Sequence, residues 1–436
     1  MTAYLEKFAE WAATLTIEDI PEDVRTTISL QLANALAAAR AGTTATWLEP
    51  PRSDGAATAL GGVGATVEDA AFTNAAASMV HDYDDYCFMG HTGHSAVFAP
   101  LALCDREGLD GTDLITTIAI ANELEGRLGG AAALGPHNGQ MWAFIHQAGA
   151  AAVAGRIVGG DAETIADSVR MGLYSTPFPT DAGFMDSDAK ALTAAAPTAT
   201  GLRIRAAAAR GASGSPAALD SFLETYAYVP FPEMLTGFGQ SWVSRTLCFK
   251  PRPGCAYVQT PWNVLAEIDE RVGLEAEQVD SIDGQGTADH LRYGVSPRPY
   301  RQPDRLLPVT VTFSVEYSLA LHLLAGGVEP AVLTDEYIET HRRELDQLAS
   351  RVTLEHDWGQ TARMVDGHEC RGRLLATDPR PGNSANPRRL LAVRQSSPGH
   401  SPRPRGSAPT EVRRTRFRHR LVPLAAQLES IRSGSG

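Results

Sequence analysis

Apolar residues recur at helical spacing through most of the first half of the chain. Between residues 21 and 40, Val24, Ile28, Leu32, Ala35 and Ala39 share one face, with Pro21 suited to a first turn and Gly42 to a helix end. The N-terminus sets Glu6, Lys7 and Glu10 among Leu5, Phe8, Ala9 and Ala12, which predicts an amphipathic helix rather than a charged-then-apolar leader. Further alanine-rich helices are predicted over 69–80, 113–128, 147–158 and 162–173, separated by glycine-containing loops. A turn at 211–216 precedes one more helix, and the aromatic, proline-rich stretch 226–238 reads as irregular.

After Lys250 the texture changes. A helix over 261–270 is followed by the alternation of 279–284, which predicts a strand. Residues 307–317 lead into an apolar helix ending near Gly326, 336–348 read as helix, and 351–354 as a second strand. The expectation is a mainly α protein: a large all-helical domain over 1–247 and a smaller α+β lid domain over 248–372. Between residues 371 and 420 stand 13 arginines with many prolines and serines, and only Asp378 and Glu411 as acids. Residues 373–409 are therefore expected to be irregular, as a native linker or as the product of a local reading-frame shift. The helix-like text at 412–431 is expected to return with 410–436 to the helical domain.

Composition narrows the function classes. With 436 residues, 43% of them hydrophobic, the chain has enough apolar surface for a large core. A net charge of −13 argues against a nucleic-acid partner, which would need a dense basic face. Five cysteines, Cys87, Cys104, Cys248, Cys255 and Cys370, are spread without the spacing of zinc or iron–sulfur sites and read as reduced thiols. No apolar run reaches spanning length, so no membrane association and a cytoplasmic location are expected. One bias points inward. Of 38 Lys plus Arg, only Lys7, Lys190 and Lys250 are lysines, so an internal lysine marks a place where a compact ammonium is wanted and a guanidinium does not fit.

The densest polar cluster is His81-Asp82-Tyr83-Asp84-Asp85 followed by His91-Thr92-Gly93-His94-Ser95. Three acids and three histidines in so short a stretch of an alanine-rich region fit general acid–base chemistry, a histidine being held by an aspartate. A solvated helix end is the plain structural alternative, and a metal-dependent hydrolase using the His81 to His94 cluster the other chemical one, although four ligands at standard spacing are not evident.

These segments carry a resemblance. The alanine-rich helix running into Asp82-Tyr83-Asp84-Asp85, with His94-Ser95 and Pro100 beyond, resembles the MmgE/PrpD family, although the family's His-Pro-Ser appears here without its proline and His91 is a second candidate. Lys190, with Thr193 and Ala195 at the family's His and Gly, resembles its Lys-x-x-His-x-Gly segment. Phe249-Lys250-Pro251-Arg252-Pro253-Gly254-Cys255 resembles its Lys-Pro-x-Pro-Cys-Cys segment, and Phe313-Ser314-Val315-Glu316-Tyr317 its Phe-Ser-x-x-Tyr helix entry. The family places a further histidine before the helix starting near Ala148. Both His137 and His146 fit, and His137, in a glycine-flanked loop, is preferred.

The resemblance implies a lyase acting on a small polycarboxylate without metal or other cofactor, by dehydrating a 2-methylcitrate-like acid or decarboxylating a cis-aconitate-like one. An epimerase of the same family, or an inactive paralogue with a damaged lid, are alternatives. It also implies a homodimer, and roles for His94, Asp82, Lys190, Lys250, Tyr317 and His137 in catalysis and for Asp85, His91, Cys255 and Thr193 in binding substrate.

Overall fold

The computed structural model describes residues 2–51, 53–87, 90–135, 143–287, 297–365 and 373–377. In chain order the helices are α1 (Thr2–Thr14), α2 (Glu22–Gly42), α3 (Val67–Met79), α4 (Gly93–Ala96), α5 (Phe98–Glu107), α6 (Gly111–Ala131), α7 (Ala143–Val158), α8 (Ala162–Tyr174), α9 (Asp181–Met185), α10 (Leu192–Ala208) and α11 (Ala218–Tyr226). They continue with α12 (Ala256–Val272), α13 (Pro308–Phe313), α14 (Val315–Ala325), α15 (Asp335–Thr340), α16 (Arg342–Ala349) and α17 (Trp358–Val365). The fold is mainly α, as the periodicity predicts. No described helix is long and apolar enough to cross a membrane.

Local signals place the helix ends. The Thr66 hydroxyl accepts from the Asp69 amide at the start of α3, Asp110 accepts from Thr112 and Asp113 at α6, and Asp161 from Thr164 at α8. Alanine-rich α7 packs against α6, α8 and α10, and α10 also lies on α3. Small side chains let these backbones approach closely, and the buried apolar residues from Leu5 to Trp242 form the largest core.

Strands are short and few among the described residues. β1 (Ala57–Ala59) and β2 (Val63–Ala65) form an antiparallel pair that the sequence did not signal, turned by Gly61 and Gly62 at φ 80° and 77°. β3 (Asp85–Cys87) pairs antiparallel with β4 (Leu247–Phe249). The later part holds a three-stranded sheet in which β5 (Ser281–Gly286) is central, parallel to β6 (Val352–His356) and antiparallel to β7 (Arg373–Thr377). A second core runs from Val258 to Leu348. A small cluster of Leu307, Val309 and Phe313 packs on Phe184, Met185, Cys255 and Tyr257, joining early and late chain.

Three expectations change. The apolar stretch from 307 divides into α13 and α14, because the Ser314 hydroxyl accepts from the Tyr317 amide and starts a new helix. The helix expected over 336–348 is two, α15 and α16, meeting at His341. Arg373–Thr377, the start of the stretch expected to be irregular, is strand β7, since pairing with β5 supplies the ladder that composition alone did not suggest. Residues 378–409 and 410–436 lie outside the described residues.

Candidate active site

The site is assembled where α3 stops. After Met79 the chain turns through His81 and Asp82, whose backbone is left-handed at φ 51°, a conformation that aspartate tolerates better than most residues. It then enters β3. The register of β3 on β4 sets Asp85 opposite Phe249, so the next residues along, Asp84 and Lys250, are brought side by side across 166 positions of sequence. The short helical turn Asp188–Ala191 delivers Lys190 to the same place, where its ammonium donates to the carbonyl of Met79 at the end of α3, which also accepts from the Asp82 amide.

These residues form one buried chain of charge. Lys190 Nζ lies 2.8 Å from Asp82 Oδ1. Lys250 Nζ lies 2.9 Å from Asp82 Oδ2, 2.8 Å from Asp84 Oδ1 and 2.9 Å from the Asp82 carbonyl. Asp84 Oδ2 in turn faces His91 Nδ1 at 2.7 Å and His94 Nε2 at 3.2 Å. Lys190 and Lys250 are only 2% and 3% exposed, which bears out the inference drawn from their rarity that they are internal. Burial alone would raise both carboxyls. The ammoniums outweigh it: Asp82, facing Lys190 and Lys250, is held at about 2, and Asp84, facing Lys250 and then the two histidines, lies well below the usual carboxylate range. Lys250 is shifted the other way, above its ordinary value, because Asp82 and Asp84 outweigh its own burial.

Donor counting separates the two lysines. An ammonium has three N–H groups. Lys250 spends all three, on the Asp82 carbonyl, Asp82 Oδ2 and Asp84 Oδ1. Among the described residues Lys190 spends two, on Met79 O and Asp82 Oδ1, and it also lines a cleft with His81, Met79, Trp47, Val309 and Asp335.

Two imidazoles complete the site. His94, on α4, has Nδ1 2.7 Å from the Ser78 hydroxyl, which also reaches the Ala75 carbonyl. When the serine proton goes to that carbonyl, Nδ1 is the donor, and Nε2, 3.2 Å from Asp84 Oδ2 but out of hydrogen-bond alignment, is the atom open to a proton. His146, on α7, stands edge-on to His94 with ring centroids 5.9 Å apart. It is fully buried, and its Nδ1 lies 2.6 Å from the Ser95 hydroxyl, which is 2.8 Å from each oxygen of Glu125. Burial first, and the neighbouring His94 second, hold His146 well below the ordinary imidazole value.

The expected residues divide accordingly. Asp82, His91, His94, Lys190 and Lys250 come together, and Asp84, to which the sequence reading gave no role of its own, is the carboxylate that links Lys250 to the two histidines. Asp85 is adjacent but turned away: Gln31 donates to its Oδ2 at 2.8 Å, and burial, with the charge of Asp84, raises its carboxyl to about 6. Gly93 makes room for it, since a Cβ there would lie 1.9 Å from Asp85 Oδ1. Cys255 is close enough to Asp82 and Lys250 to feel both, but burial pushes its thiol to about 12. Thr193 is buried in the first turn of α10, three residues beyond Lys190. The Tyr317 hydroxyl, expected to act in catalysis, donates to Asp346 Oδ1 at 2.7 Å and is held on a carboxylate outside this group.

His137 lies outside the described residues. His146, the weighed alternative, is the histidine brought to His94. Its signal in the sequence was the position just before Ala148, whereas Glu125, Ser95 and Ser78 gave none. His81 leaves the acid–base group, its Nε2 being bound to Thr44 Oγ1 at 2.7 Å while burial lowers its imidazole to about 4. Among the described residues no three of His, Cys, Asp and Glu are grouped so as to hold a metal ion. The carboxylates of Asp82 and Asp84 are instead neutralised by ammonium groups.

No curated protein matches the chain. The family model of the MmgE/PrpD N-terminal domain matches residues 6–228, which contain Asp82, Asp84, His94, His146 and Lys190. That span is just over half of the 436 residues, and the chain belongs to the MmgE/PrpD family.

Proposed function

We propose that the protein is a lyase of a small polycarboxylate, removing water from a 2-methylcitrate-like hydroxy acid or carbon dioxide from a cis-aconitate-like acid with side chains alone. Members of its family are generally dehydratases and other lyases. The observation that carries the reading is the buried chain from Lys190 through Asp82, Lys250 and Asp84 to His94, with His146 beside it.

Both reactions create negative charge next to a carboxylate and transfer protons: dehydration takes one from carbon and gives one to the leaving hydroxide, and decarboxylation gives one to the carbon that loses carbon dioxide. The charge requires fixed cations in a low-dielectric site, and the proton transfers an acid–base group in place before substrate arrives, His94 accepting the carbon-bound proton in the dehydration. In this reading Lys190, with one donor to spare and a face on the cleft, takes a substrate carboxylate. Lys250 is the anchor that keeps Asp82 and Asp84 ionised, and Asp84 stabilises the imidazolium formed when His94 Nε2 accepts a proton. The cleft beside Lys190 is already lined by Val309 and Asp335 of the 248–372 part and has only about 20 Å³ of free space, so in this reading that part moves away to admit substrate and its return excludes water. Tyr317 and Asp346 both belong to that part and move together, so Tyr317 is given no step in this reading.

The test is a panel of tricarboxylates and hydroxy-diacids, with formation of a conjugated unsaturated acid followed at short ultraviolet wavelength. Turnover of one member that is lost in His94→Ala supports the reading. Turnover of none by folded protein defeats it.

A further inference from the structure

Behind the two imidazoles lies a buried acid that the proposed chemistry does not use. Glu125 is fully buried in α6, and α7 accommodates it with a glycine: a Cβ on Gly149 would stand 1.8 Å from Glu125 Oε1. Its described neighbour is the Ser95 hydroxyl, 2.8 Å from both carboxyl oxygens, and that hydroxyl is 2.6 Å from His146 Nδ1. His146 Nδ1 itself is 3.8 Å from Glu125 Oε2, beyond direct hydrogen bonding, so Ser95 is the link. At the far edge of the ring, His146 Nε2 is buried and finds no hydrogen-bond partner among the described residues.

The single proton of Ser95 decides the arrangement. If Glu125 were a carboxylate, Ser95 would donate to it, His146 Nδ1 would be the donor to Ser95, and Nε2 would be a bare lone pair. If Glu125 is a neutral acid, its O–H donates to Ser95 Oγ, Ser95 donates to Nδ1, and the ring proton sits on Nε2. The Thr92 carbonyl, at 3.4 Å, is too distant to compete well for the serine proton. An ionised Glu125 would be an unpaired charge in the interior, with no Lys or Arg bonded to it among the described residues and with Asp85 near enough to repel it, so the neutral form is the one the surroundings accept.

We propose that Glu125, acting through Ser95, fixes His146 as the tautomer that carries its proton on Nε2, making His146 the proton donor of the pair while His94 is the acceptor. Glu125 and Ser95 are then positioning residues. The pairing has a counterpart at His94, whose Nδ1 is likewise tied to a serine hydroxyl, that of Ser78, which also reaches the Ala75 carbonyl. The two rings take opposite tautomers when the Ser78 hydroxyl donates to that carbonyl and the Ser95 hydroxyl donates to its ring. The charged and titratable groups around His146 are Glu125 behind it and His94, His91 and Asp84 in front. The roles of donor and acceptor rest on the acid–base reading above. The tautomer does not.

The test is nitrogen-15 NMR of full-length protein labelled at histidine, with long-range proton–nitrogen correlations separating the two tautomers and His146→Asn assigning the signal. The wild type is expected to show His146 as neutral with Nε2 protonated throughout pH 6 to 8. Ser95→Ala should lose that single tautomer. Glu125→Gln, whose amide can donate to Ser95 as the neutral acid does, should keep it. On any substrate found, Ser95→Ala should lower kcat by about 10²-fold, since misplacing a positioned group costs that much, while Glu125→Gln stays within about threefold of wild type.

A wild-type His146 protonated on Nδ1, or present as imidazolium at pH 7, overturns the proposal whatever the substrate. A wild-type Nε2–H tautomer that Ser95→Ala leaves unchanged in folded protein also overturns it. The expected spectra with no turnover of any panel acid would uphold this proposal and count only against the polycarboxylate reading.

Discussion

Replacing Asp85 with asparagine tests the electrostatics of the site without a substrate. Asp85 is 1% exposed, and burial, then the charge of Asp84, carry its carboxyl from 3.8 up to about 6, against the single hydrogen bond from Gln31. A carboxyl raised on folding binds its proton more tightly in the native state. Its stabilising contribution is therefore complete below pH 3.8 and is lost as pH rises through 6. A shift of about two pKa units corresponds to roughly 3 kcal/mol over that window, at about 1.4 kcal/mol per unit. Asp82 and Asp84 titrate in the opposite sense, losing stability as pH falls below 3.8, but they are present in both proteins and largely cancel in the difference. Asparagine keeps the shape, its carbonyl can still accept from Gln31, and it does not titrate. The expectation is that Asp85→Asn gains on wild type by about 2 to 3 kcal/mol between pH 4 and pH 8. Urea denaturation at four pH values, read by circular dichroism, measures it. A wild-type-to-variant difference that stays constant across that range would refute the reasoning, because Asp85 would then be ionised as readily in the folded protein as in the unfolded chain.

The lysines should separate by readout. Lys190→Arg should keep its melting temperature within a few degrees and lose about 10²-fold in kcat/KM, whereas Lys250→Arg should also be destabilised by about 1–3 kcal/mol, because its fully committed pocket has no room for a longer planar group. Near-wild-type turnover and melting of both would show the ammoniums to be interchangeable with guanidinium. Activity should survive exhaustive chelation; stoichiometric zinc or iron that leaves together with turnover would count against side-chain-only chemistry. Light scattering at micromolar concentration should give twice the 46.5 kDa chain mass, as expected for a C2 dimer, and a monomer would contradict it.

Periodicity sufficed for helices such as α2, because burying one face of a 3.6-residue repeat is a local demand that a segment writes into itself; Val24, Ile28 and Ala35 are buried where their spacing puts them, whereas the breaks at Ser314 and His341 and the helices α5 and α17 were not read from it. The aversion to lysine likewise made Lys190 and Lys250 legible, since a buried ammonium and a solvated guanidinium are different solutions to different problems. What only the tertiary structure decided is pairing. The register of β3 on β4 chose Asp84 and Asp82 as the partners of Lys250, and two strands of three residues carry too little pattern to announce it. Glu125, Ser95 and His146 are contributed by three different helices, so nothing in any one of them marks the relay. Asp82, Asp84 and Asp85 are chemically the same residue in one short run, yet Asp82 is held at about 2, Asp84 well below the usual carboxylate range, and Asp85 is raised to about 6. The difference comes from which charges the rest of the fold sets against each carboxyl, and a buried group takes its properties from those neighbours rather than from its own position in the chain.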